Sequence, residues 1–171
     1  LLRGFCTGIL FFATIIGNHC KMLDASAGSI CTALVCVSTL LGSYTYSRLS
    51  LRVKNGNIIL ISGILSVLSM PAMVIGKNTF VFYTMFFISL LCMNAVPGLA
   101  VPAAVTEFVS YNYIGRYSAW RMVLHTGGVT LSGIVLSPLL NTCGAFGTLA
   151  IAALAQLLAG IVYYIYIKKH T

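Results

Sequence analysis

Acidic side chains are almost missing from this chain. Of 171 residues only Asp24 and Glu107 carry a carboxylate, and all charged residues together make up 7%. Soluble domains carry roughly 25%. So few charges cannot clothe the surface of a water-soluble protein of this length. The shortage also removes the paired carboxylates that general acid–base catalysis uses. There is no HExxH, no Walker-type glycine loop, and no Ser/His/Asp set at a favourable spacing. Gly127-Gly128 and Gly144-x-x-Gly147 read as helix and turn glycines rather than phosphate cradles. No enzyme activity is expected. The six cysteines form no CxxC pair and no Cys/His cluster with metal spacing, so neither a metal nor a cofactor is expected. They read as small buried hydrophobes, with a disulfide between Cys20 and Cys143 left open. The opening Leu1-Leu2-Arg3-Gly4 has no Met and no small-residue cleavage site. The expectation is that the chain begins inside a longer protein or has lost residues.

Apolar sequence is what the chain has in abundance, at 59%. It falls into six runs, at about 4–19, 28–46, 57–76, 79–104, 117–140 and 145–167. Their ends carry basic residues alternately. Arg3 precedes the first run; Arg48, Arg52 and Lys54 follow the second; Arg116 and Arg121 stand at the start of the fifth; Lys168 and Lys169 follow the sixth. The opposite ends collect only Lys21 and Lys77. Eight of ten basic residues on one side is the positive-inside pattern. It predicts six spans in an integral, multi-pass protein of the plasma (inner) membrane, with both ends of the chain cytoplasmic. The net charge of +8 therefore marks orientation and contact with anionic membrane lipid. Nucleic acid is not an expected partner.

The runs are continuous and close to 20 residues, not alternating stretches of about 10, which predicts helices rather than barrel strands. Each helix closes its own backbone hydrogen bonds, as lipid demands. Connections are short and no linker interrupts them, so residues 1–171 form one all-α bundle. Small residues predict the packing faces: Gly127, Gly128, Ser132, Gly133 and Ser137 in the fifth run, and Ala152, Ala155, Ala159 and Gly160 in the sixth. Pro71 and Pro138 predict kinks or ends. Pro97 and Pro102, with Asn94 and Gly98 beside them, predict a broken fourth helix whose freed carbonyls need partners.

Polar residues at membrane depth are the candidate site. His125 lies about 8 residues into the fifth run, roughly 12 Å deep at 1.5 Å per residue. Ser118, Arg121, His125, Gly128 and Ser132 share one helical face by their +3/+4 spacing, and that face suits an aqueous cavity. Tyr83, Phe87, Leu90, Asn94 and Pro97 repeat the spacing in the fourth run. His125 is suited either to bind solute or carry a proton, or to sit neutral and satisfied by a neighbouring helix. Asn18 and His19 form a second polar spot at the outer end of the first run, and Gln156 is alone in the sixth. Trp120 and Tyr163, Tyr164 and Tyr166 fit an interfacial aromatic belt, and Arg121 a snorkelling cation. Glu107 and Arg116 belong to the inner face, as a gate pair or as solvated charges.

Three segments carry a family resemblance. Leu23-Asp24-Ala25-Ser26-Ala27-Gly28 opens the second run in the style of the segment before the eighth helix of major facilitator superfamily transporters. Gly42 and then Arg48-Leu49-Ser50-Leu51-Arg52-Val53-Lys54-Asn55-Gly56 resemble that superfamily's basic loop motif. Arg48, Leu49 and Arg52 match it, while its usual Asp falls on Leu51 and its usual Gly on Lys54. Glu107 followed by Ile114-Gly115-Arg116-Tyr117-Ser118-Ala119 resembles the loop between the tenth and eleventh helices. The resemblance implies the C-terminal six-helix half of a secondary transporter, built as two three-helix inverted repeats and working by alternating access. It implies a second six-helix half as partner, upstream in the same chain or separate, and a small-molecule solute, with H+ a candidate coupling ion. It also implies that the first and fourth spans line the cavity, which would give Asn18, His19, Asn94 and Pro97 the solute, with Arg48, Arg52, Glu107 and Arg116 at an inner gate. Proton-coupled drug or metabolite export is the leading expectation. Cation-coupled sugar uptake, faintly suggested by Glu107-Phe108-Val109-Ser110-Tyr111, is the alternative, as is a transport-inactive half-size protein serving as an assembly subunit.

Overall fold

The computed structural model describes residues 1–23, 26–106 and 109–170. The described residues are helical apart from short turns. In chain order the elements are α1 (Leu2–Phe11), α2 (Ala13–His19), α3 (Ala27–Leu49), α4 (Asn55–Ile75), α5 (Thr79–Leu90), a π-helical turn (Leu91–Ala95), α6 (Val96–Thr106) and α7 (Tyr111–His170). Four helical stretches are long and apolar enough to cross a membrane: Ala27–Leu49, Asn55–Ile75, Thr79–Thr106 and Tyr111–Tyr166.

That division departs from six separate runs in two places. The first run is split at Phe12, whose backbone (φ −88°, ψ 16°) leaves the α region. Its N–H is shared between the Gly8 and Ile9 carbonyls, each at 3.2 Å. The fifth and sixth runs join in α7 with only Gly144 between them, at φ 67° and ψ 179°. That conformation is essentially restricted to glycine. Neighbours show what it does. Gly4 faces His125, and Gly8 faces Val129 and Ser132, so α1 and the first limb of α7 run parallel. Cys6 donates to the Ala152 carbonyl at 3.0 Å, while Arg3 shares a cavity with Tyr163, so the second limb runs the other way. Gly144 therefore reverses the chain. Pro71 and Pro138 end no helix: both lie inside, in α4 and α7 respectively.

Close helix approach is written in small residues. A Cβ on Gly4 would fall against the His125 carbonyl, and one on Gly128 would lie 2.6 Å from the Phe5 nitrogen. Gly42 of α3 meets Ala95 in the π turn, and Gly160 of the second limb meets the Ile59 carbonyl of α4. Such close interfaces gain from dispersion and hydrogen bonding. The packed interior is accordingly not purely apolar. Thr7, Ser66, Ser89, Ser132 and Thr148 are fully buried. Their hydroxyls donate to carbonyls three or four residues back, and Ser89 also bonds Ser69 at 2.9 Å. Large apolar side chains point outwards instead, with Leu40 74% and Ile134 69% exposed. That distribution is compatible with a body bathed in lipid.

The turns that collect few charges are tightly built. Lys21 follows α2 with φ 53°, and Lys77 follows α4 with φ 44°. After α2, Met22 N–H reaches the Gly17 carbonyl (3.0 Å) and Lys21 N–H the Asn18 carbonyl (2.9 Å). This is a Schellman cap with lysine in the left-handed position usually given to glycine. Thr79 donates to the Met22 carbonyl at 2.8 Å, and the Asn78 side chain caps α5 by accepting from Phe80 N–H at 2.8 Å. Cys20 and Cys143 are both free thiols.

Candidate functional site: a cavity beside the broken fourth span

The fourth run does not break as its prolines predict: Thr79–Thr106 stays one helical stretch, widened by a π turn over Leu91–Ala95. Pro97 has no N–H to give the Met93 carbonyl, one turn earlier. The π turn over Leu91–Ala95 immediately precedes it. Extra-wide turns of this kind leave backbone oxygens poorly satisfied inside a helix. The carbonyl that Pro97 leaves free needs a donor from elsewhere.

Arg3 supplies it. Its guanidinium donates through Nη1 to the Pro97 carbonyl at 2.9 Å and through Nη2 to the Met93 carbonyl at 3.3 Å. The Asn94 carbonyl lies 3.5 Å from the same Nη2, at the outer limit of a hydrogen bond. The glycines on α1 and α7 place the side chain there by letting α1 sit close on the first limb. Arg3 Nε is enclosed and has no hydrogen-bond partner. Carbonyl dipoles satisfy donors but leave a full positive charge uncompensated.

A cavity of ≈ 400 Å³ opens beside this contact. Arg3 and Gly4 line it from α1, Asn94 from the π turn, Gly98 and Val101 from α6, and Tyr163 from the second limb of α7. The first limb contributes most, with Tyr117, Trp120, Arg121 and His125 on one side. The volume falls within the roughly 300–1,000 Å³ of small-molecule sites. Arg121 and His125 are half-buried, and neither their side chains nor the Asn94 amide makes a hydrogen bond among the described residues. The lining offers two fixed cations, an imidazole, an amide, two phenols and an indole, and no carboxylate among the described residues.

No family model, curated protein or solved structure matches this chain.

Of the residues singled out from sequence, the fold brings Asn94, Pro97 and His125 together. Pro97 enters through its carbonyl, while Asn94 and His125 face the cavity itself. The predicted face of the fifth run divides by depth. Arg121 and His125 line the cavity, whereas Gly128 and Ser132 are buried against α1 and Ser118 is exposed. Asn18 and His19 are exposed at the end of α2 and take no part in the cavity. Arg48 stands 5.5 Å over the Tyr44 ring on its own helix; Arg52 and Arg116 are exposed. Glu107 and Asp24 lie outside the described residues, and with them the expected gate pair. Among the described residues no three of His, Cys, Asp and Glu gather to hold a metal.

Arg3 is the residue that sequence reasoning passed over, because its position at the start of a span explains it fully as an orientation signal. The available clue lay in the fourth run. A proline inside a membrane helix frees a carbonyl, and Arg3 stands beside Gly4 and one helical turn before Thr7 and Gly8, on a segment able to approach closely. Arg121, on the face expected to suit a cavity, and Trp120, expected in the interfacial belt, both line the cavity, and Trp120 is also largely exposed.

Proposed function

We propose that this chain is one six-helix half of a secondary transporter of the major facilitator type, and that the cavity beside Arg3 is its share of the solute path. The carrying observation is the junction of a π turn inside an apolar helix, a donor from another helix and a ≈ 400 Å³ cavity whose lining includes Asn94, Arg121 and His125. π turns inside helices are frequent at functional sites. On this reading the cavity opens towards the cytoplasmic side, where α1 begins, α6 ends and both ends of α7 lie.

The pairing of elements supports the architecture. Counting α1–α2 as the first span, α5–α6 as the fourth, and the limbs of α7 as the fifth and sixth, the third span packs extensively on the fourth, and three further interfaces bear on the repeat. The first span packs on the fifth, the second on the fourth, and the third on the sixth. Exchanging spans one to three for spans four to six turns the first of these pairs into the second and returns the third to itself. Two inverted three-helix repeats about a pseudo-two-fold axis have that property.

His125 is the histidine that lines the cavity, and proton-coupled export of a drug or metabolite is the version of transport we favour. A second six-helix half supplies the opposite wall. The test is flux in proteoliposomes containing both halves, with and without an imposed pH gradient. Gradient-dependent movement that is lost in His125→Ala is the expected result. If no organic ion or sugar moves, transport is ruled out. If flux and its pH dependence survive His125→Ala, the proton role fails alone.

A further inference from the structure

The cavity's charge says what it takes. Arg3, Arg121 and His125 all line it, and the two acids of the chain, Asp24 and Glu107, lie outside the described residues. The whole chain has only two acids against ten Lys and Arg. Arg3 is anchored by backbone carbonyls, which fix its position without cancelling its charge, and its enclosed Nε is left with no partner. Two guanidinium groups at one cavity in low dielectric repel each other, and an anion between them relieves that repulsion. Guanidinium is also the side chain best matched to carboxylate and phosphate oxygens. The remaining walls are different in kind. Trp120, Tyr117 and Tyr163 offer aromatic surface, and Val101 and Leu124 aliphatic surface.

We propose that this cavity binds an organic anion, with a carboxylate or phosphate head held at Arg3 and Arg121 and an aromatic or apolar body against Trp120, Tyr117 and Tyr163. Arg3 is the preset anchor. Arg121, bound to nothing else among the described residues, closes on the head. His125 donates to it when protonated and through one ring nitrogen when neutral. The inference rests on the transport reading only for its consequence, that the solute moved is anionic; binding itself requires no second half.

Trp120 makes the test direct, because it is the only tryptophan in the chain and it lines the cavity. The full chain in nanodiscs of neutral phosphatidylcholine is titrated with para-nitrobenzoate, para-nitrobenzylammonium and para-nitrobenzyl alcohol, each an aromatic quencher of indole. Saturable quenching by the anion, with only linear collisional quenching by the other two, is expected. Arg121→Gln weakens the anion by tenfold or more, the loss expected for a charge-assisted contact, while Arg121→Lys retains part of it. Arg121 is chosen because Arg3 also holds the helix at its π turn. Repeating the titration in phosphatidylglycerol discs separates two sources of the same chemistry. Unchanged affinity indicates a soluble anion, and competition indicates an anionic lipid head in the same site; both support an anion cavity. Equal saturable binding of the cation or the alcohol, or unchanged binding in Arg121→Gln, overturns the proposal. Anion binding without flux sinks the transport reading and leaves this one standing; flux of cations without anion binding does the reverse.

Discussion

Replacing Gly4 by alanine adds one methyl group, and its effect separates packing from propensity. Inside a helix, glycine is about 0.5–1 kcal/mol worse than alanine, so propensity alone predicts that Gly4→Ala stabilises. The structure predicts the opposite sign. The new Cβ would meet the His125 carbonyl oxygen, with the His125 carbonyl carbon at 2.8 Å and Cα at 2.9 Å. These are backbone atoms of another helix and cannot rotate away. Restoring ordinary carbon–carbon contact of about 3.5–4.0 Å moves α1 off the first limb of α7 by nearly an ångström. Gly8 faces Val129 and Ser132 and Gly128 faces Leu1 and Phe5 along the same seam, so their contacts loosen too. Overpacking of this kind costs about 1–3 kcal/mol, which offsets the propensity gain and leaves a net loss of up to about 2.5 kcal/mol. Gly115 is the control: it lies in α7 with open space where its Cβ would go, so Gly115→Ala is expected to gain up to about 1 kcal/mol. The measurement is thermal or denaturant unfolding in one detergent, wild type beside both variants. The reasoning is refuted if Gly4→Ala matches or exceeds the stability of Gly115→Ala.

Four further outcomes concern the turns. Gly144→Ala forces a side chain into a backbone region essentially reserved for glycine (φ 67°, ψ 179°); a loss of about 1–3 kcal/mol is expected in the same unfolding assay, and a neutral result would show that the chain reversal does not depend on it. Lys21→Gly relieves a left-handed lysine in the cap after α2 (φ 53°) and should raise stability by about 1 kcal/mol; no gain means that cap is not strained. Burial pushes the Cys20 thiol above its ordinary pKa while Lys77 pulls it down. Removing the charge in Lys77→Gln therefore raises that pKa further, lowers the thiolate fraction near pH 8 and slows maleimide labelling, whereas faster or unchanged labelling contradicts the assigned cause. Cys20 and Cys143 are expected to label equally before and after reduction, since both are free.

The sequence by itself determined the class of the molecule. Long apolar runs with two acids among 171 residues point to apolar helices of membrane-crossing length, and the described residues are helical with four stretches of that kind. It also marked the fourth run as irregular, because Pro97 removes a donor wherever the helix lies, and it picked out Asn94 and His125 by their polarity in an apolar setting. The pairing of these residues was not legible there. Whether His125 faces a cavity or a neighbouring helix depends on how α1 sits against α7, and that contact is set by glycines whose lack of a side chain leaves no local signal. Asn18 and His19 show the converse: polar and well placed by sequence, they end exposed at the far end of α2. Only the tertiary structure decided the role of Arg3. A cation at the start of a span satisfies the orientation rule whether it points to water or into the protein. The carbonyls that hold Arg3 lie 94 and 90 residues away in sequence, and only folding brings the donor to the Pro97 carbonyl and to the Met93 carbonyl that Pro97 leaves free.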